Sequence, residues 1–450
     1  MVYRKYDNSV MEDLPDTLDE ELPIIEKGIR SATEQLANIA ESDLSEIMFR
    51  AYRIMDSEKD QIAAALSGES GKPLRFALNE VDLVMRSALT FGEVISDSCT
   101  YMRERYEAGS FASISSRNPI GVVLGLISFT DPFLNAASVA LPALITRNPV
   151  ILKPSSRSPL SAMKLRDVLY RSGLPENFMR VIVGSRDSQP VKSLMKSRYP
   201  DAVAFYGSAD SAHNVRQHLY GKIFVPHPGG GCVSIVWKDA DLDMAGRIIA
   251  ESSFHSQGQN AFRTQRVIVH PDVVEYLTGR LREEISQMII GDPSNINTDI
   301  GPLSTPEYTE IFVSLIRMMF DHGDRLLEGG KIEGRTAPPT IVDASSPESP
   351  VWKDDVMAPV ASLITSDSID SSIAIANGIG IRNTASVFTS NVNTSFYYFR
   401  KLKFREVVIN DSPDFRYRVE HKKKSLPSYR EKRIYDLMDE FSTMKSMSIR

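Results

Sequence analysis

The chain has 450 residues, 42% of them hydrophobic and 24% charged, with a formal net charge of −6. That length exceeds what one core usually accommodates, so two domains are expected. No run approaches the roughly 18 apolar residues of a membrane-spanning helix, and the mild acidic balance, with Lys422-Lys423-Lys424 as the main basic cluster, argues against nucleic-acid binding. Cys99 and Cys232 fall far apart in different expected elements, which suggests neither a disulfide framework nor a metal cluster. The N-terminal MVYRKYDNSVMEDLPD has no apolar h-region, so a reducing cytoplasm is the expectation.

Apolar residues three and four apart predict helices over Glu21–Ile39, Asp43–Met55 and Glu58–Leu66. The third gives way to Gly68-Glu69-Ser70-Gly71-Lys72-Pro73, a helix break by its glycines and proline. Tyr101 to Arg117 alternates aromatic and β-branched residues around Ala108-Gly109, as an extended hairpin does. The pattern then becomes strand–helix alternation, which predicts a parallel sheet covered by helices. Ile120–Phe129 and Asn148–Lys153 read as strands buried on both faces, joined by an apolar helix around Ala136–Ile145. A helix is expected from Ser158, with Ser158 as N-cap, Pro159 in its first turn and Gly173 past its end. Strands at Met179–Val183, Ala202–Phe205 and Lys222–Val225 complete a dinucleotide-domain pattern. A second domain opens with the strand Cys232–Val236 and the helix Asp241–Ser253. The loop Phe254–Arg266 (FHSQGQNAFRTQR) follows, then the strand Arg266–His270, a helix over Pro271–Met288, and the turns Gly291-Asp292-Pro293 and Thr298-Asp299-Ile300-Gly301-Pro302-Leu303.

The loop and the two turns resemble the aldehyde dehydrogenase superfamily, and the resemblance extends from about Glu69 to Arg450. It implies an α/β, aldehyde dehydrogenase-like fold with a Rossmann-type cofactor domain, an α/β catalytic domain and an oligomerisation hairpin and tail. The corresponding division is 1–99 for the N-terminal helices, 100–118 for the hairpin, 119–230 for the dinucleotide-binding domain, 231–430 for the catalytic-type domain and 431–450 for the last helix end and strand. Glu420–Tyr429 (EHKKKSLPSY) is shorter and more basic than the family's glycine-rich loop before the last helix.

In the family, Gly-Gln, one variable residue and a catalytic cysteine precede a strand. Here Gly258 and Gln259 fit that pattern and the cysteine position is Ala261. The family's general-base glutamate precedes a double glycine, and the matching His227-Pro228-Gly229-Gly230-Gly231 offers His227. Its oxyanion asparagine is matched by Thr130 in Phe129-Thr130-Asp131-Pro132. Alanine can neither attack an aldehyde nor leave as a thiolate would. His227 between two prolines is read either as a base near neutral pH or as a solvated imidazole on a rigid turn. Ser252, Ser253 and Ser256 have no evident activating partner, and Cys232 reads as a small core residue.

For the cofactor, Lys153-Pro154-Ser155-Ser156 matches the segment that reads the adenosine ribose, and Ser156 in place of a glutamate favours NADP over NAD, with Lys153 able to pair with a 2′-phosphate. Gly207-Ser208 matches the pyrophosphate turn. Asp355 and Met357 occupy the positions of the glutamate and the aromatic residue that position the nicotinamide ribose, so adenosine-side binding is expected to outlast nicotinamide-side order. The resemblance implies a dinucleotide and a small aldehyde as ligands and a homodimer or homotetramer. Three readings follow: a family member degenerate in catalysis, a working aldehyde oxidoreductase in which Ala261 replaces the cysteine or His227 serves as relocated base, and a structural subunit of an oligomer with an active paralogue.

Overall fold

The N-terminal helices of the computed structural model, which describes residues 1–98, 100–101, 112–185, 188–414 and 427–449, are Leu22–Ala37, Glu41–Ser57, Lys59–Ser70 and Leu74–Ser98. The third runs past the expected Leu66 to Ser70 because Gly71, at φ 78°, supplies its left-handed cap. A five-stranded, wholly parallel sheet follows, in the spatial order Met179–Val181, Val150–Pro154, Val123–Ile127, Ala202–Gly207, Ile223–Pro228. Its strands read as unbroken apolar runs because both faces are covered. Val123, Leu152 and Ala204 face one layer with Val84 and Phe91, whereas Leu124, Ile151 and Val203 face another with Ile29 and Leu194.

A second, seven-stranded sheet is ordered Arg325–Glu328, Thr340–Asp343, Val360–Thr365, Arg266–Val269, Val233–Val236, Thr384–Phe388, Glu406–Ile409, parallel except for its first pair. The C-terminal strand Ser442–Ile449 pairs antiparallel with Ala112–Pro119, which also pairs with Thr100–Tyr101. Most of the expected hairpin, 102–111, and most of the basic Glu420–Tyr429 loop lie outside the described residues.

The apolar helix expected around Ala136–Ile145 begins at Pro132, and the helix Pro159–Arg171 starts where expected, with Ser158 at its N-cap position but no capping bond to the Ser158 hydroxyl. Buried glutamates from the N-terminal helices do that work at both places. Glu80 accepts from the amides of Phe133 (2.8 Å) and Leu134 (3.0 Å), and Glu69 accepts from those of Leu160 (2.8 Å) and Ser161 (2.9 Å) and from the Ser161 hydroxyl. Each carboxylate satisfies amides that have no partner inside their own helix. Lys72 donates to Glu80 (2.6 Å) and to Asp131, the residue before Pro132, so a single buried ammonium faces two carboxylates. Burial opposes its charge, but Asp131 and Glu80 outweigh burial and hold the ammonium above its usual range.

Among the described residues Glu69 has no such counter-ion within bonding distance, and burial pushes its carboxyl from 4.5 up to about 7 despite the bonds it accepts. Its neutral form therefore contributes full stability below pH 4.5, and that contribution is lost as the pH rises through about 7. Glu69→Gln, which cannot ionise, should flatten this dependence. Urea unfolding at pH 5 and pH 8 should show the unaltered chain losing up to about 3 kcal/mol more than the variant over that interval.

Candidate active site

Between the two parallel sheets lies a crevice of about 1090 Å³, lined by Thr130, Lys153, Ser156, Gly207, Ser208, His227, Ala261, Asp355 and Met357. These residues come from separate segments that meet at the carboxyl ends of the five-stranded sheet, where open parallel sheets leave a groove. Phe129, Arg157, Lys192, Tyr206, Arg266 and Tyr308 complete much of the wall.

The loop that carries position 261 is fixed from both sides. Ser256, Gln257 and Gly258 have φ of 51°, 49° and 65°, and a Cβ at Gly258 would strike the carbonyl of Ala358. The Gln259 amide donates to the Met357 carbonyl (3.1 Å) and accepts from the Ser304 amide (3.0 Å). Arg263, fully buried, donates to the carbonyls of Val360 (2.9 Å) and Val356 and to Gln265 (2.9 Å). Burial lowers its guanidinium below the usual range, and the carbonyls take the place of water around it.

The glycine turn closes over this loop. The Gly230 amide donates to the Ala261 carbonyl (2.7 Å), a Cβ built on Gly229 would lie 2.8 Å from that of Ala261, and one on Gly230 would run into the Asp355 carboxylate. Asn383 holds the turn by donating to the carbonyls of Pro228 and Gly230, both at 2.8 Å. Arg266 pairs with Asp355 Oδ1 at 2.7 Å, and the Gly231 amide donates to the same oxygen (3.4 Å), so that among the described residues Oδ2 has no hydrogen-bond donor.

His227 is no solvated turn residue. It lies within the strand Ile223–Pro228, directly opposite Tyr206 in the parallel ladder, so the two rings stack at 4.5 Å and 14°. Its Nε2 lies 3.0 Å from Glu440 Oε2, at the end of the helix Pro427–Glu440. Thr130 is buried, with its hydroxyl 3.1 Å from that of Ser128 and its carbonyl accepting from Asn135 (2.6 Å). Cys232 is buried in the core with its thiol pushed up to about 12 by burial, so it supplies no thiolate.

Across the crevice, Ser208 caps the helix Ala209–Arg216 by accepting from the Ser211 amide (3.3 Å). Arg157 lies 5.3 Å over the Phe129 ring and 5.1 Å over that of Tyr308, to whose hydroxyl it donates (3.1 Å). Sequence reasoning passed over Arg157, Tyr308, Tyr206 and Glu440. Arg157 adjoins Ser156 and was within reach of the motif, but nothing in the chain order connects Glu440 with His227, 213 residues away.

Two α/β units of this topology, with a crevice between them, form the architecture of solved aldehyde dehydrogenases. Glyceraldehyde-3-phosphate dehydrogenase from Methanocaldococcus jannaschii, complexed with NADP, superposes with a TM-score of 0.91 at 22% identity over 100% of this chain and 98% of that one. Aldehyde dehydrogenase 21 from Physcomitrella patens gives 0.92 at 22% over 100% and 94%. The aldehyde dehydrogenase family model matches residues 1–446, and the chain belongs to that family. Among curated relatives, aspartate-semialdehyde dehydrogenase 1 of Pseudomonas canavaninivorans is 27% identical over 419 residues, 92% of this chain and 89% of that protein. Lactaldehyde dehydrogenase of Methanococcus maripaludis is 27% identical over 387 residues, 85% and 82%.

The glycine turn makes a direct test. Gly221 has φ 70° and open space around it, whereas Gly230 has φ 90° and the Asp355 carboxylate in the way. Both Gly221→Ala and Gly230→Ala incur left-handed strain of roughly 1 kcal/mol. Gly230→Ala should lose at least about 1 kcal/mol more in urea unfolding, from the displaced ion pair.

Proposed function

We propose that the chain is a dinucleotide-binding member of the aldehyde dehydrogenase family that has lost thiol-dependent aldehyde oxidation. The observation that carries this reading is Ala261, set in the crevice against the glycine turn, with no thiol among the described residues lining it. His227 and Thr130 at the other two chemical positions support it, since neither reproduces the carboxylate or the amide of the family pattern. Removing a covalent nucleophile from an otherwise intact site typically costs on the order of 10⁶ in rate.

The crevice has the groups a nicotinamide dinucleotide requires. Lys153, Arg157, Lys192 and Lys196 give one wall a positive balance, Ser208 opens a helix whose N-terminus faces the groove, and Ser156 leaves room for a 2′-phosphate. At the other end Asp355 Oδ2 is an acceptor for a ribose hydroxyl, fixed by Arg266, beside Met357. When bound, the dinucleotide would supply a hydride acceptor. The relatives' names support aldehydes as the other ligand, and the methanogen enzyme's NADP supports the same preference here.

A second reading, an oligomer in which this chain also serves a structural role, is favoured by the outer strand Ser442–Ile449, where Met444 and Met447 are 56% and 54% exposed. A mass above that of one chain in size-exclusion light scattering is its expected result.

Calorimetric titration should show NADP binding at least about 10-fold more tightly than NAD, and Ser156→Glu should reverse the order. Absence of binding for both would remove the reading. Ala261→Cys should leave aldehyde-dependent NADP reduction within about 10-fold of the unaltered chain, because His227 and Thr130 also differ. A gain of about 10³ or more would show a site complete apart from its thiol, in favour of the working-oxidoreductase reading.

A further inference from the structure

His227 and Glu440 form a unit that thiol chemistry does not require. We propose that His227, oriented by Glu440, transfers protons in a direct, reversible hydration of an aldehyde in this crevice. The inference rests on the reading of the crevice as an aldehyde site and deepens it by giving the site a chemistry that needs no nucleophilic side chain.

The geometry restricts the imidazole to one useful arrangement. Glu440 Oε2 accepts at 3.0 Å from Nε2, which places the ring proton there and leaves Nδ1 with a lone pair and no hydrogen-bond partner among the described residues. The stack on Tyr206 at 4.5 Å fixes the ring plane. Both stand on neighbouring strands of the sheet, and the carboxylate comes from a helix end whose next residue, Phe441, is buried and accepts from Asn148 at 2.8 Å. A base held by a third group in this way is the arrangement that activates a hydroxyl or a water.

The replacements around it remove the alternatives. With alanine at 261 no thiol at that position competes for the carbonyl carbon, and Ala261 and Gly229 line the crevice in which a water would attack. The Thr130 and Ser128 hydroxyls, 3.1 Å apart on the same wall, supply a donor for the carbonyl oxygen. In the step, the water oxygen bonds to the carbonyl carbon while His227 Nδ1 takes one of its protons, and the C=O π pair moves to oxygen. The resulting imidazolium, stabilised by Glu440, returns a proton to that oxygen, which gives the gem-diol. Nothing is oxidised or reduced, and the reverse sequence releases the aldehyde and water.

The test uses the full chain without a dinucleotide, so it is separate from the titrations above. Magnetisation transfer between acetaldehyde and its hydrate should be faster with the protein than with an equal concentration of free imidazole. His227→Ala should remove about 100-fold or more of that increment, and millimolar imidazole should restore part of it. Glu440→Gln should reduce it about 10-fold or more, Glu440→Asp should keep more of it than Glu440→Gln, and the ¹⁵N spectrum of His227 should show the Nε2-protonated ring only while the carboxylate is present. His227→Gln, matched to the parent in circular dichroism, replaces His227→Ala if the latter fails to fold. Exchange no faster than imidazole, unchanged exchange in a folded His227 variant, or an Nδ1-protonated ring in the parent would each overturn the proposal. Dinucleotide binding in that event would leave the proposed function standing.

Discussion

Two buried carboxylates occupy the starts of two helices whose first amides would otherwise face the protein interior without partners. Glu80 serves Phe133 and Leu134, Glu69 serves Leu160 and Ser161, and Lys72 neutralises Glu80 together with Asp131. For Glu80, paired with Lys72, bonds to a charged acceptor are each worth roughly 1.5–3 kcal/mol, and removing that counter-ion costs several more. The helices so anchored are those whose leading residues build the crevice: Phe129 to Asp131 precede one and Ser155 to Arg157 the other. The N-terminal helices therefore set the wall of a site to which they contribute no lining residue.

The opposite wall depends on a second set of contacts that is indifferent to the side chain at 261. Gly258 fits beneath the Ala358 carbonyl, Gln259 bridges Met357 and Ser304, and Arg263 and Gln265 bind the 351–360 segment largely through main-chain groups. Arg266 then joins this loop to Asp355. An alanine at 261 disturbs none of these bonds, since position 261 enters the network through its carbonyl, on Gly230. The frame and its chemistry are separable here because loop position is fixed by backbone and neighbouring side chains.

How much of this was legible depended on whether a feature was local. The parallel strands were, because burial on both faces leaves continuous apolar runs, and Ala261, His227 and Thr130 were placed by motifs spanning a few residues each. The start of the helix after Ser158 was legible, but the groups that cap it and the helix from Pro132 were not, because the usual capping rules look to the residue just before the helix and here the acceptors arrive from 53 and 91 residues away. The Glu69-Ser70-Gly71-Lys72-Pro73 break read as mere punctuation. It is the hinge of the capping network, since Glu69 and Lys72 both belong to it. His227 was the hardest, because two flanking prolines signal a turn. On the edge strand of a sheet, however, proline forfeits no necessary ladder bond, and the strand continues through it to Pro228.

The identity of residue 227 and the presence of Glu440 constrain each other. A carboxylate at 227 reaching the same point would sit about as near Glu440 as the imidazole does, and two like charges at about 3 Å repel by roughly 5 kcal/mol even at an effective dielectric constant of about 20. Relief would require protonating one of them, which removes the base the family pattern places there. Histidine meets both conditions: it donates to Glu440 and keeps a second nitrogen that can take a proton. The histidine at 227 is thus matched by a partner from the far end of the chain. The two positions, 213 residues apart, fit as imidazole and carboxylate where two carboxylates would repel.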